Sequence, residues 1–378
     1  MKITSIRAIP VRIPLSKSYV WSHGKVDFFT NVLIRVECDE GITGYGESDI
    51  IFGVSQESPE TIVQIVEKYI APAIVGKDPF DIENILETMD EKIRGNYSAK
   101  SGVEFALWDM KGKYLKQPVY NLLGGRYRDR VEVDYTIGID TPRTMAQTAK
   151  RMLDYGYKTF VVKVGRDIES DVERVRRVRE AVGPSAKIRV DVNEGYTVEK
   201  AIKAIKQFER YGPELVEQPV ARWDIRGMTR VSRVVDTPIS ADESNSSPQA
   251  AFQLIENEAV DVLNIKLPYH GGIWNSMKVA SVAESAGIPV IVGGMNHFEV
   301  GRQANRHFAV SVRIAHSGYA HEGPGPASQS LTDNITKKVI TYDDVKSQGG
   351  YVLPGDEYGL SVELDEEKVR LYSQEIRT

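Results

Sequence analysis

The sequence predicts an α/β protein, a (β/α) barrel preceded by a smaller α+β domain. From about residue 131 onward, short apolar strands alternate with amphipathic helices. The repeat of about 25–30 residues is the length of one βα unit. The first 125 or so residues instead run as sheet followed by helices. A chain of 378 residues has room for both parts, since a barrel takes roughly 250 residues.

In the first part, residues 2–14 and 31–38 are rich in β-branched side chains, and Gly41 and Gly44 mark a turn before Tyr45-Gly46-Glu47. Residues 58–76 place Ile62, Ile65, Val66, Tyr69 and Ile70 at helical spacing behind Pro59. Residues 99–116 do the same with Val103, Ala106, Leu107, Met110 and Tyr114. Leu122-Leu123-Gly124-Gly125-Arg126 closes a capping domain expected over residues 1–126. Barrel strands are predicted at 131–138, 159–164, 187–192, 214–217, 238–241, 261–267, 288–292 and 318–321. Helical patterns lie between most of them, as at 168–182 and 197–210. This alternation implies parallel pairing, and eight such strands close a barrel, expected over residues 127–344. Residues 322–356 are rich in Gly, Pro and Ser. A final strand and helix within 357–378 are expected to return to the first domain, so that residues from about 345 to 378 complete it.

Hydrophobic residues at 41% and charged residues at 27% suit a sizeable core under a polar surface. A net charge of −5 gives no basic footprint for nucleic acid. An anionic substrate must then be drawn in by a local site. Cys38 is the one cysteine, so no internal disulfide is possible and a reducing cytoplasm fits. Its setting inside the strand LIRVECDEG argues against catalysis. No stretch reaches the roughly 18 apolar residues of a membrane span, and MKITSIRAIPVRIP has no apolar signal-peptide core.

Barrel active sites lie at the C-terminal ends of the strands. Here those ends carry Lys163 on the second strand, Asp191 and Asn193 on the third, and Glu217 on the fourth. Asp242 and Glu243 end the fifth, Lys266 the sixth and Glu322 the eighth. Any one of these could be a surface charge or a salt bridge. Independent surface charges have no reason to recur once per βα unit at the same end of consecutive strands. Asp191, Glu217 and Asp242 offer hard oxygen ligands without Cys or His, a set that selects Mg²⁺, with Mn²⁺ as the alternative. A dication stabilises the enolate formed when a proton leaves the carbon beside a carboxylate. The second and sixth strands lie across the barrel, so Lys163 and Lys266 can address opposite faces of that enolate. To act as bases they are expected to have pKa values lowered toward about 7–8 by burial and nearby positive charge, that of the metal included.

At these residues the sequence resembles the enolase superfamily, and within it the muconate lactonizing enzyme subgroup of the mandelate racemase/muconate lactonizing enzyme family. The resemblance extends over nearly the whole chain. In the first domain it rests on Gly44-Tyr45-Gly46-Glu47 and on the run Glu104-Phe105-Ala106-Leu107-Trp108-Asp109-Met110-Lys111-Gly112-Lys113, similar to a helix that packs the family's cap on its barrel. In the barrel it rests on Val161-Val162-Lys163-Val164-Gly165, Asp191-Val192-Asn193, Val216-Glu217-Gln218-Pro219, Ala241-Asp242-Glu243-Ser244 and Lys266-Leu267-Pro268-Tyr269-His270-Gly271-Gly272. The resemblance implies a (β/α)7β modified TIM barrel with an N-terminal α+β capping domain. It implies Mg²⁺ held by Asp191, Glu217 and Asp242, bases at Lys163 and Lys266, Glu243 supporting Lys266 by a charged hydrogen bond, and Asn193 at or near the metal. It also implies a homo-oligomer.

The chain departs from the family pattern in places. Val161 stands where the family usually has a lysine. The seventh strand end, Gly293-Gly294-Met295-Asn296-His297-Phe298-Glu299, carries a histidine, which in the mandelate racemase subgroup is a base paired with an aspartate on the sixth strand. Here that strand offers Lys266, so His297 is left either to contact substrate or to serve as a loop residue. Glu322-Gly323-Pro324-Gly325-Pro326 resembles the Glu-x-x-Gly-Pro of muconate cycloisomerases loosely and lacks the Asp-x-Asp of dipeptide epimerases.

Two stretches, 16–29 and 49–56, suit loops that cover the barrel mouth and exclude water. Trp21, His23 and Phe52 are the candidate substrate contacts there, although Trp21 and Phe52 also suit packing between domains. Tyr19, Lys17 and Lys25 are further candidates for a polar substrate tail. The reading is an isomerase of a small carboxylate: a racemase, epimerase or cycloisomerase. A lyase that eliminates water and a non-catalytic ligand-binding barrel are the alternatives.

Overall fold

The computed structural model describes residues 1–50, 55–313, 315–320 and 331–374. It opens with a three-stranded antiparallel sheet of β1 (Ile3–Trp21), β2 (Gly24–Cys38) and β3 (Thr43–Ser48). The first two strands run much further than the apolar patterning suggests. Pairing extends from Ile3 with Cys38 out to Trp21 with Gly24, across a register break between Pro14 and Tyr19. The stretch read as a loop over 16–29 is therefore a hairpin arm. Its Ser, Lys and Asp residues break the apolar alternation, but ladder hydrogen bonds come from the backbone and survive that. Stacking of the Arg12 guanidinium on Phe28 adds cross-strand support, and Tyr19 stacks on Trp21 along β1 itself.

The predicted helix over 58–76 is one helical run with a π-helical turn inside it. It comprises α1 (Pro59–Gln64), the turn Ile65–Ile70 and α2 (Ala71–Ile74), and starts at a Ser58–Thr61 capping box. Then come α3 (Ile82–Lys92), α4 (Tyr97–Leu115) and α5 (Val119–Leu122). The α4 helix lies directly beneath β3. A Cβ on Gly44 would stand 2.0 Å from the Ala106 carbonyl oxygen, and one on Gly46 would stand 1.9 Å from that of Gly102. Only glycine permits this approach.

The barrel begins after the short β4 (Val131–Glu132). Its strands are β5 (Asp134–Ile137), β6 (Thr159–Lys163), β7 (Lys187–Asp191), β8 (Leu215–Glu217), β9 (Ile239–Ala241), β10 (Val262–Ile265), β11 (Val290–Val292) and β12 (Ala315–Ala320). They form one parallel sheet in chain order, and its edge strands β12 and β5 approach each other within 8 Å between Cα atoms. The helices α6 (Pro142–Asp154), α7 (Ile168–Val182), α8 (Val198–Phe208), α9 (Ile225–Ser232), α10 (Pro248–Glu256), α11 (Ile273–Ser285) and α12 (Glu299–Ser311) follow the first seven strands in turn. That is the (β/α)7β arrangement expected. Leu215, Val262 and Ile291 form a small apolar cluster separate from the main core. By strand periodicity they point the same way as Glu217 and Lys266, so they plug the barrel below the polar layer.

Beyond the barrel, Tyr351–Val352 pairs with β4, and the closing helix Glu366–Gln374 lies against β1 with Glu366 on Arg35. Among the described residues no helix is long and apolar enough to cross a membrane.

Side-chain caps start α6 to α10: Thr141, Asp167, Thr197, Asp224 and Ser247 each accept from an N–H of the first turn. The helices α11 and α12 have none of their own, and the N-terminal domain supplies it. Glu104 accepts from the N–H groups of Ile273 and Trp274 at 2.9 and 2.8 Å, and from the Trp108 indole at 2.7 Å. Glu47 accepts from Phe298 and Gly301 at 2.7 and 2.8 Å and from the Asn31 amide at 2.6 Å. A buried carboxylate thus meets the positive end of each helix and docks the two layers. Asp109 ties α4 to β3 and to the C-terminal segment, accepting from the N–H groups of Tyr45 and Leu360 at 2.8 Å each. These contacts explain why the Glu104 and Asp109 run is needed.

Burial pushes the carboxyls of Glu47 and Glu104 up to about 7 each, against the pull of their donors. Glu104→Gln turns one acceptor into a donor and is expected to cost about 1–3 kcal/mol in denaturant unfolding. The wild-type carboxyl binds its proton more tightly folded than unfolded. Its contribution is thus full below about 4.5 and is lost as pH rises through about 7. The deficit of the variant is therefore larger at pH 5 than at pH 8, and the reverse order would mean a carboxylate that stays ionised in the fold.

Candidate active site

Parallel register sets the site. Lys163 stands beside Asp191, and Asp191 beside Glu217, at the last positions of β6, β7 and β8. Asp242 and Glu243 follow β9, and Lys266 follows β10. All six side chains are buried, so the sequence-predicted row of charges forms one layer at the C-terminal mouth of the barrel.

Lys163 Nζ donates to Asp191 Oδ2 and, at 2.8 Å, to Asn193 Oδ1. Lys266 Nζ donates to Asp242 Oδ2 at 2.5 Å. Asn193 ties three groups together: its backbone N–H reaches Asp191 Oδ1 at 2.9 Å, and its amide nitrogen reaches Glu243 Oε1 at 3.0 Å. Glu243 was expected to hydrogen-bond Lys266. Instead Lys266 turns to Asp242, whose carboxylate lies closer, and Glu243 takes the Asn193 amide while feeling Lys266 only through space.

Two residues unremarked as candidates in the sequence hold the others in place. Asn264 donates to Glu217 Oε1 at 2.8 Å. It lies two residues before Lys266 on the same strand face, which is the one signal that marked it. Gln218 accepts from the N–H groups of Asp242 and Ser244 at 3.1 Å each, fixing the start of the next loop. Asn193, Glu194 and Gln218 are non-glycine residues at φ of 44°, 64° and 37°. Such left-handed conformations are strained and concentrate at functional sites.

The electrostatics follow from crowding. Burial, and then the charges of Asp191 and Asp242, push the Glu217 carboxyl well above its usual range. Burial, Asp242 and Asp191 push Glu243 up to about 8. The low lysine pKa values expected above include the positive charge of a bound cation, and the metal-free site shows the balance without it. Burial does lower them, but the facing carboxylates outweigh it, Asp191 for Lys163 and Asp242 for Lys266, and both ammoniums are held above the ordinary lysine value. Among the described residues no three acidic, His or Cys side chains already surround one ion-sized point, for each lysine occupies a carboxylate oxygen. The donor set nevertheless fits a hard dication. It consists of oxygens only, and Asp242 Oδ1 and Glu243 Oε2 are buried with no hydrogen-bond partner.

From the N-terminal domain, Trp21 is buried with its indole nitrogen unpartnered, and His23 Nε2 meets the Asn193 carbonyl oxygen at 2.6 Å. The half-buried Tyr19 feels the same charges: burial raises its hydroxyl pKa, and the field of Lys163 opposes that. Lys17 and Lys25 are paired with Asp140 and Asp27. His297 is not an exposed loop residue. It is buried with Nδ1 3.0 Å from Asp49 Oδ2, and burial, Arg302 and Lys266 push it down to about 3, so the ring is neutral. Val161 is fully buried two residues before Lys163. Phe52 and Glu322 lie outside the described residues.

Comparison with known proteins decides the family. Residues 144–368 match the family described as enolase C-terminal domain-like, and residues 3–124 match the mandelate racemase / muconate lactonizing enzyme N-terminal domain. The chain belongs to the mandelate racemase/muconate lactonizing enzyme family. An N-succinyl-L-Arg/Lys racemase of Bacillus cereus is 38% identical over 83% of this chain and 85% of that one. A chloromuconate cycloisomerase of Cupriavidus necator is 35% identical over 98% of each chain. The crystal structure of a dipeptide epimerase from Enterococcus faecalis, complexed with Mg and the dipeptide L-Leu-L-Tyr, matches with a TM-score of 0.90 at 34% identity. It covers 96% of this chain and 100% of that one. The isomerase class expected of this family member agrees with all three.

Removing one partner of a buried ion pair strands the other charge. Lys266→Met is expected to destabilise the metal-free protein by about 3–5 kcal/mol in denaturant unfolding, and a loss below about 1 kcal/mol would mean that Asp242 carries no charge to strand.

Proposed function

We propose that this enzyme is a two-base racemase or epimerase of a small amino-acid-derived carboxylate. Lys163 and Lys266 work on opposite faces of the α-carbon, and Asp191, Glu217 and Asp242 hold Mg²⁺. The observation that carries this reading is the pair of buried amines on β6 and just after β10, four strands apart in an eight-stranded ring, each beside a carboxylate of the same layer. A racemase needs one group to take a proton from one face and another to return one to the opposite face. The cation, when bound, draws charge from the carboxylates and supplies positive potential where the enolate develops. Were Asp191 and Asp242 to hold the cation, the lysines would lose the partners that keep them as ammoniums, and their burial would favour the neutral base. Asn193 then retains Lys163 by its amide oxygen, and Asn264 retains Glu217. The family resemblance supports a homo-oligomer as the working form, and the lone Cys38 suits a reducing cytoplasm. Cycloisomerisation is the second reading, favoured by the match to a chloromuconate cycloisomerase along 98% of both chains; there one lysine protonates the enolate.

In D₂O with Mg²⁺, a panel of N-succinyl amino acids and dipeptides followed by NMR should show α-deuteration with inversion. Lys163→Ala and Lys266→Ala should each lower racemisation by about 10²–10⁴-fold while leaving exchange of one enantiomer. Release of water would instead indicate a lyase, and activity that survives exhaustive EDTA would exclude the metal-assisted reading. Asn264→Ala should weaken Mn²⁺ or Mg²⁺ binding by about 10–100-fold in calorimetric titration, because Glu217 loses the donor that orients it; unchanged affinity would remove Glu217 from the ligand set or Asn264 from its support.

A further inference from the structure

We propose that Ser22 and His23, at the turn of the β1–β2 arm, are positioning residues for Lys163 and act through Asn193. This rests on the two-lysine reading above and assigns these residues a task other than direct substrate contact. Both side chains converge on one atom, the Asn193 carbonyl oxygen: His23 Nε2 at 2.6 Å and Ser22 Oγ at 3.1 Å. The imidazole donates there, which requires its proton on Nε2. A further tether holds the same turn to the barrel, as Arg166 Nη2 donates to the Trp21 carbonyl oxygen at 3.0 Å.

The acceptor is no ordinary carbonyl. Asn193 sits at φ 44°, a conformation that persists in a non-glycine residue only when its surroundings over-determine it. Its side chain is the one that receives Lys163 Nζ at 2.8 Å and donates to Glu243 Oε1 at 3.0 Å, and its N–H holds Asp191 Oδ1 at 2.9 Å. The arm therefore grips the backbone of the residue whose amide aims one of the two bases. With the turn docked, Asn193 is clamped at its carbonyl, its N–H and its side chain together. With the turn lifted, the carbonyl loses both donors and the amide is free to leave its rotamer. Among the described residues Lys266 has no hydrogen bond to Asn193: its ammonium is held by Asp242, faces Tyr269 and meets Glu243 only through space. Docking of the arm thus conditions one face of the active site and not the other, so a substrate that holds the arm down also sets the base that will act on it.

This one-sidedness is the test. Early α-deuterium exchange is measured separately for each enantiomer of a turned-over substrate, with Lys163→Ala and Lys266→Ala assigning which enantiomer each lysine deprotonates. The double variant Ser22→Ala/His23→Ala should slow exchange of the Lys163-facing enantiomer by about 10–100-fold at saturating substrate, and leave the other within about threefold. His23→Gln, which keeps a donor at the same reach, should restore most of the loss. In the Asn193→Ala background, adding His23→Ala should have no further face-selective effect. Equal loss for both enantiomers, a change in KM alone, failure of His23→Gln to rescue, or full additivity with Asn193→Ala would overturn the proposal. If Lys163→Ala fails to silence one enantiomer, the two-base reading itself falls, an outcome distinct from the others.

Discussion

The structure is organised around one constraint: Asp191, Glu217, Asp242 and Glu243 are buried side by side in a single layer at the barrel mouth. Two like charges about 4 Å apart repel by roughly 4 kcal/mol even at an effective dielectric of 20. Such a layer can be tolerated only if positive charge and hydrogen-bond donors are built in around it. The chain answers with two ammoniums and with amides from Asn193 and Asn264, and the carboxyl pKa values of Glu217 and Glu243 are raised. The remaining excess suits the hard dication proposed for the site, and the facing carboxylates hold both lysines above the ordinary lysine value.

Positioning that layer takes the N-terminal domain as well as the barrel. Glu47 and Glu104 replace the missing caps of α12 and α11, so the two layers dock through helix N-termini and not only through apolar contact. Close approach of β3 to α4 at Gly44 and Gly46 keeps the domain rigid beneath the joint. From this base the β1–β2 arm extends to Asn193. Local strain at Asn193, Glu194 and Gln218, set just past the ends of β7 and β8, is held by these long-range contacts. Stability of the joint and geometry of the bases are therefore linked through a short run of named contacts.

Much of this was legible in the sequence because the chemistry recurs with the fold. Lys163, Asp191, Glu217, Asp242 and Lys266 each end or follow a strand of a βα unit, and parallel register makes equal positions neighbours in space. The alternation of strands and helices was readable for the same reason. What was not legible depends on tertiary closeness. The arm over residues 16–29 looked like a loop because its pairing is carried by backbone groups that leave no apolar pattern. Asn264, Gln218 and Asp49 are ordinary polar residues until the fold brings them to Glu217, Asp242 and His297. The opposing pull on the lysines in the metal-free site is of the same kind: burial, which lowers their pKa values, is visible as an apolar strand, whereas the carboxylate that outweighs it sits 28 residues away for Lys163 and 24 for Lys266. Glu243 chose Asn193 over Lys266 for a similar reason: the nearer carboxylate of Asp242 already held the amine.

The most direct measurement is anomalous diffraction from crystals of the protein grown with Mn²⁺. The account requires one strong peak between the carboxylates of Asp191, Glu217 and Asp242, at about 2.0–2.3 Å from an oxygen of each, with Lys163 and Lys266 on either side of it. A peak elsewhere, or carboxylates that keep their lysines and hold no ion at saturating Mn²⁺, would contradict it.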